Sequence, residues 1–212
     1  MHLIHRGIVS KKYKENLLNS FKASFKRGYG IETDIHATKD HRFVCFHDFT
    51  LRRILNYKGS IKNLNYEDIQ KISKKKNKEI PLLNDLLKLS KNKHDLFIEI
   101  KPQFSKQLII KLLKETKNYK KCVFISFKEK NIYQKIKINK NTKVGLSFCP
   151  PTSIKTIIKK SKNKNVNYLI LDKVYLKNKE ILNIKKDKFF YTIKNKKEFT
   201  KYRKNNLIFE NL

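Results

Sequence analysis

Two carboxylates stand two residues apart, Glu32 and Asp34, inside the apolar run of "GIETDIHATKDHRFVCFHD" (residues 30–48). Residues i and i+2 of a strand share a face, so the pair projects together, as do Glu99 and Lys101 in "FIEIK". A buried carboxylate is costly unless it is paired or binds a metal. Three of them at one strand-end cluster would repel one another unless a cation lay between them. Ligation by oxygen alone points to a hard ion, Mg²⁺ or Ca²⁺. His5 and Arg6 end the first apolar run, just before Gly7, and His47 ends another in "CFHD". Two imidazoles beside a metal-bearing mouth supply a general acid and a general base near neutral pH. Arg6 and Lys101 suit an anionic oxygen, the arginine through its planar fork. Each residue has an ordinary reading as a surface, capping or salt-bridge group. The coincidence of members at four strand ends argues for metal-assisted chemistry on an anion. His2, His36, His41 and His94 read as solvated, with His36 the exception to watch because it follows the acidic pair.

These residues need strands to position them. Short β-rich runs recur at residues 3–5, 31–35, 43–46, 96–100, 122–126, 144–148, 168–172, 189–193 and 207–209. Helical patterns at 15–27, 82–91, 105–116, 152–162 and 195–204 lie between them; Leu17, Leu18, Phe21 and Phe25 share one stripe. Between 31–35 and 43–46 only "HATKDHR" intervenes, too little for a crossover helix, which needs about a dozen residues. That pair reads as a hairpin. The remaining eight strands match an α/β fold of the (β/α)₈ TIM type, with a short hairpin strand and a small insertion after it. An open doubly wound sheet is the alternative, weakened by the lack of a Gly-rich turn after the first strand.

The 212 residues suit one domain, 1–212, with no Pro-, Gly- or Ser-rich linker. The net charge of +33 admits nucleic acid, membrane or anionic substrate as partner. Lysine is nevertheless spread along the whole chain together with asparagine and isoleucine, which reads as codon bias and a solvated surface rather than specific nucleic-acid binding. Cys45, Cys122 and Cys149 have no metal or disulfide spacing and read as buried reduced thiols. "MHLIHRG" lacks an apolar leader and no run is long enough to span a bilayer, so a cytoplasmic enzyme without stable membrane insertion is expected.

The combination "HRG" (5–7), "EN" (15–16) opening a helix, "GIETD" (30–34), "TKD" (38–40), "FHD" (46–48), "LRRI" (51–54), "IPLLNDLL" (80–87) and "FIEIK" (97–101) resembles the glycerophosphodiester phosphodiesterases, within the phosphatidylinositol-phospholipase-C-like barrel superfamily. "ISF" (125–127) and "FYTIKN" (190–195) resemble later strands of that barrel. The resemblance implies metal-dependent hydrolysis of glycerophosphodiesters to glycerol 3-phosphate and an alcohol. Glu32, Asp34 and Glu99 would ligate one divalent cation, Mg²⁺ ahead of Ca²⁺. His5 and His47 would be the acid–base pair, and Arg6 and Lys101 would contact the phosphate. The chain departs from the family pattern at Tyr191, where tryptophan is usual, at Lys194, where asparagine is expected, and at Phe209–Glu210, where Thr-Asp is usual. Those changes bear on the pocket that reads the leaving alcohol. The alternatives are a lysophospholipase-D-like activity on membrane lipids and a non-catalytic basic barrel that binds polyanions.

Overall fold

The structure, a computed structural model, describes residues 1–210; Asn211 and Leu212, the last two positions of the expected 1–212 domain, lie outside the described residues. Its strands are β1 (His2–His5), β2 (Gly30–Ala37), β3 (Phe43–Cys45), β4 (Leu96–Ile100), β5 (Cys122–Ser126), β6 (Val144–Phe148), β7 (Tyr168–Asp172), β8 (Asp187–Ile193) and β9 (Asn206–Phe209). Eight run parallel in the order β1-β9-β8-β7-β6-β5-β4-β2, and pairing of β1 with β2 closes the barrel. As expected, β3 returns antiparallel on β2, with Ile35 opposite Cys45.

The helices are α1 (Leu18–Lys26), α2 (Arg52–Leu55), α3 (Tyr66–Lys74), α4 (Leu83–Ser90), α5 (Lys106–Thr116), α6 (Glu129–Ile138), α7 (Ile154–Ser161), α8 (Lys179–Leu182) and α9 (Lys196–Tyr202). Ser105 and Ser153 cap α5 and α7 by accepting the Leu108 and Thr156 N–H groups. Glu15 and Asn16, expected to open α1, instead precede it. The α2 and α3 segments belong to the insertion, which packs on β3 in a separate apolar cluster of Val44, Phe46, Leu51, Leu55, Ile61, Ile69 and Ile80.

Strand alternation divides the apolar residues into two layers. One set packs against the helices: Ile4, Ile31, Ile98, Phe124 and Leu146 join Phe21, Leu83, Leu86 and Ile109. The other set comes from strands alone, Leu3, Phe97, Val123, Ile125, Ile170, Phe189 and Ile208, and fills the barrel interior. Two residues further along most of these strands the inward series changes character, whereas β5 continues apolar through Ile125 to Phe127. Leu3 is followed by His5, Phe97 by Glu99 and Lys101, Ile170 by Asp172, Phe189 by Tyr191 and Ile208 by Glu210. The same period of two therefore builds an apolar plug below and a polar mouth above it. Cys45 and Cys122 are buried as expected; Cys149 is exposed, because β6 has already ended and the residue sits on the mouth.

Candidate active site

The mouth encloses a cavity of about 670 Å³ lined by His5, Arg6, Glu32, His47, Glu99 and Lys101 on one side. On β2 and β4, Asp34 and Glu99 are directly paired. One oxygen from each of Glu32, Asp34 and Glu99 lies within 4.8 Å of the others, and all three side chains are buried.

Two cations face these three carboxylates. Lys101 Nζ lies 3.0 Å from Glu99 Oε1 and 3.4 Å from Asp34 Oδ1. Arg6 Nε lies 3.2 Å from Asp34 Oδ2, close enough to pair but not aligned for a hydrogen bond. The compensation is uneven. Burial alone would raise Asp34, but Arg6 and Lys101 outweigh it and hold its carboxyl below the usual range. Burial, then the charge of Asp34, pushes Glu99 up to about 7. Glu32, buried beside Asp34 and Glu99, is pushed well above the ordinary value. Its Oε2 is buried without a hydrogen-bond partner. An orphaned oxygen in a set of three oxygen donors is the environment a hard divalent cation satisfies. These residues fit such an ion.

Arg6 reaches the cluster because the chain turns sharply after β1. Arg6 and Gly7 both adopt left-handed backbone, φ 56° and 74°. A Cβ on Gly7 would meet Ser20 Oγ at 2.3 Å, so helix α1 packs where only glycine leaves room. Ser20 and Ser24 then fix the following turn through the carbonyl and N–H of Ile8.

Each expected histidine carries a carboxylate on its Nδ1. His5 Nδ1 is 3.0 Å from Glu210 Oε2, and His47 Nδ1 is 2.7 Å from Asp48 Oδ1. Its bond to His5 lowers Glu210 to about 2. Burial would raise Asp48, but its bonds to Arg53 and His47 hold it at about 2. An ionised carboxylate only accepts, so both rings donate from Nδ1 and keep Nε2 for the cavity. His47 lies two residues beyond β3, not on it, and other residues hold it there.

Several of those supporting residues received no role from the sequence. Arg53 of α2 bonds both oxygens of Asp48, at 2.7 and 3.0 Å, and both oxygens of Glu15, at 3.1 and 2.6 Å. Asn16 is buried; its amide donates to Asp34 at 3.4 Å and accepts from Thr33 at 2.8 Å. Both lie in the motifs "LRRI" and "EN", so their signal was position within the pattern rather than chemistry. His36 is buried, and its Nε2 donates to the His47 carbonyl at 3.1 Å. Burial pushes its pKa down to about 4 despite that bond. It is a neutral strut beneath the His47 backbone. The remaining histidines stay outside the site; His94 stacks on Phe25, and His41 sits in the hairpin turn.

The profile of the Glycerophosphoryl diester phosphodiesterase family matches residues 5–208. The chain is 32% identical over 161 residues to a glycerophosphodiester phosphodiesterase of Caldanaerobacter subterraneus subsp. tengcongensis, covering 69% of this chain and 65% of that protein. It is 35% identical over 104 residues to the Bacillus altitudinis glycerophosphodiester phosphodiesterase, covering 45% and 42%. The matched stretches thus span less than two thirds of either relative. Among solved structures, the Thermotoga maritima glycerophosphodiester phosphodiesterase superposes with a TM-score of 0.84 at 21% identity, covering 98% of this chain and 93% of that one. An Oleispira antarctica phosphodiesterase in complex with the product sn-glycerol-3-phosphate gives 0.85 at 18% identity, covering 99% and 92%. At those identities the structures share the barrel.

Proposed function

The chain belongs to the glycerophosphoryl diester phosphodiesterase family, and from that premise we propose that it hydrolyses glycerophosphodiesters to glycerol 3-phosphate and an alcohol, with residues 1–212 acting as one barrel domain. The observation that carries this reading is the carboxylate triad flanked by two histidines whose Nδ1 atoms are each held by an ionised carboxylate.

Glu32, Asp34 and Glu99 would hold one divalent cation, Mg²⁺ ahead of Ca²⁺. The chemistry such an ion supplies is charge neutralisation at phosphate oxygens and orientation of hydroxyls. Arg6 and Lys101 lie beside the triad and, once the ion shares its charge, are free to hold the phosphate. One imidazole takes the proton of the attacking oxygen at Nε2. The other gives its Nε2 proton to the departing alcohol as the P–O bond breaks. Glu210 and Asp48 fix the rings and stabilise each imidazolium as it forms.

His5→Asn and His47→Asn each are expected to lower glycerol 3-phosphate release about 10²- to 10⁴-fold. Release at wild-type rate from either variant would contradict the assignment. A second reading, cleavage of lysophospholipids at a lipid surface, draws on Phe49 and Val174, 56% and 58% exposed, which follow β3 and β7, Val174 within a short 3-10 helix. Among the described residues no helix is long and apolar enough to cross a membrane.

A further inference from the structure

Across the cavity from the carboxylates, β5 to β8 bring a different set of groups to the lining: Phe127, Ser147, Asp172 and Tyr191. The two rings meet edge to face, 5.9 Å between centroids at 84°. The Tyr191 hydroxyl donates to the Phe148 carbonyl at 2.9 Å, which fixes its ring. Asp172 Oδ1 accepts the Val174 N–H at 2.9 Å, which fixes the carboxylate. No cation of the described residues pairs with it. Its neighbour Lys173 is turned away onto both oxygens of Glu198, at 2.9 Å, and Lys194 is taken by Glu210 at 3.1 Å. Ser147 is 7% exposed, and its Oγ is buried without a partner.

We infer that this wall is a subsite for an ammonium-bearing leaving group, the aminoethyl or trimethylaminoethyl arm of a glycerophosphodiester. The inference rests on the phosphodiesterase reading above and adds the substrate class to it. A phosphate held at Arg6 and Lys101 anchors one end of the diester, so its alcohol arm extends across the mouth. The wall it meets offers an unpaired carboxylate, two aromatic rings and an unbonded hydroxyl. A cation over or beside such rings is stabilised by their quadrupoles, and more so when it is partly desolvated. Asp172 adds a full opposing charge, and Ser147 an acceptor for an N–H. An anionic arm would meet Asp172 with no lysine free to offset it, and a neutral polyol would leave that charge uncompensated. Asp172 also caps the turn after β7, a role that any acceptor at this position fills.

The test compares kcat/KM for glycerophosphoethanolamine and glycerophosphocholine with that for glycerophosphoglycerol. Asp172→Asn keeps the capping oxygen and removes the charge, and Phe127→Leu keeps an apolar side chain and removes the ring. The wild type is expected to favour the two ammonium diesters, and Asp172→Asn to lower the ammonium-to-glycerol ratio about tenfold. Phe127→Leu is expected to lower the ratio most for choline. Ratios that stay within threefold of wild type in both variants would overturn the subsite. Failure of the wild type to release glycerol 3-phosphate from all three diesters, with cation supplied, would instead overturn the phosphodiesterase reading on which it rests.

Discussion

Glu32 and His36 sit four residues apart on β2, and burial acts on them in opposite senses. For Glu32 it disfavours the charge that a cation ligand would carry, and its Oε2 is buried without a hydrogen-bond partner. For His36 it favours the neutral ring that donates to the His47 carbonyl. A histidine whose folded pKa is depressed adds stability above its unfolded value, about 6.5. That stability is lost as pH falls toward about 4, because only the unfolded chain takes the proton in that window. The melting temperature is therefore expected to fall more steeply between pH 6.5 and 4 in the wild type than in His36→Gln. Parallel slopes would show that His36 is not buried as a neutral donor. At this scale the sequence was most informative where residue type and strand parity coincide, as for Glu32, Asp34, Glu99 and Lys101. It was least informative for Asn16, on the loop before α1, and Arg53, on one-turn α2, because Thr33, Asp34 and Glu15, which they bond, lie 17 to 38 residues away.

Helix α2 is one turn long and carries Arg53, which ties the insertion to the site. Arg53 holds Asp48 in the position that orients His47, while Glu15 braces it from the loop after β1. Arg53 is 48% exposed, and exposed pairs contribute only ~0.2–1 kcal/mol to stability. Arg53→Ala is therefore expected to lower kcat about tenfold while moving the melting temperature by no more than a few degrees. A large stability loss with an unchanged kcat would mark the clamp as structural only. The strands were legible because parallel barrel strands are continuous apolar runs interrupted only at the mouth. Helices α3 and α6 were not. In α6 the buried positions Asn131, Ile132, Lys135 and Ile136 keep helical spacing, but two of the four are polar and mask the stripe. In α3 Tyr66, Ile69 and Ile72 stand three residues apart, but only Ile69 and Ser73 are fully buried and the stripe is a short one among charged residues.

The whole molecule sets a basic exterior against an acidic mouth. With a net charge of +33 it attracts anions at long range, yet Glu15, Glu32, Glu99, Asp172 and Glu210, five of its 18 acids, line one cavity. The outer charge is diffuse and draws phosphate-bearing molecules in without reading them. Retention of a random DNA duplex is accordingly expected at ~20 mM salt and its loss by ~150 mM, where screening shortens to about 8 Å. Sequence-selective retention at the higher salt would argue for a nucleic-acid interface. Barrel closure was legible as a count of eight strands once the hairpin had been set aside. The pairing of β1 with both β2 and β9 that completes it leaves no local mark in the sequence.

The most direct test is glycerol 3-phosphate release from glycerophosphoethanolamine by the wild type and Glu99→Gln, side by side, with Mg²⁺, with Ca²⁺ and with chelator. The expected result is release that requires a divalent cation, is abolished by chelator, and falls at least ~100-fold in the variant while its fold is retained. Release at an undiminished rate in chelator, or by Glu99→Gln, would contradict the carboxylate triad as the cation site of the proposed phosphodiesterase.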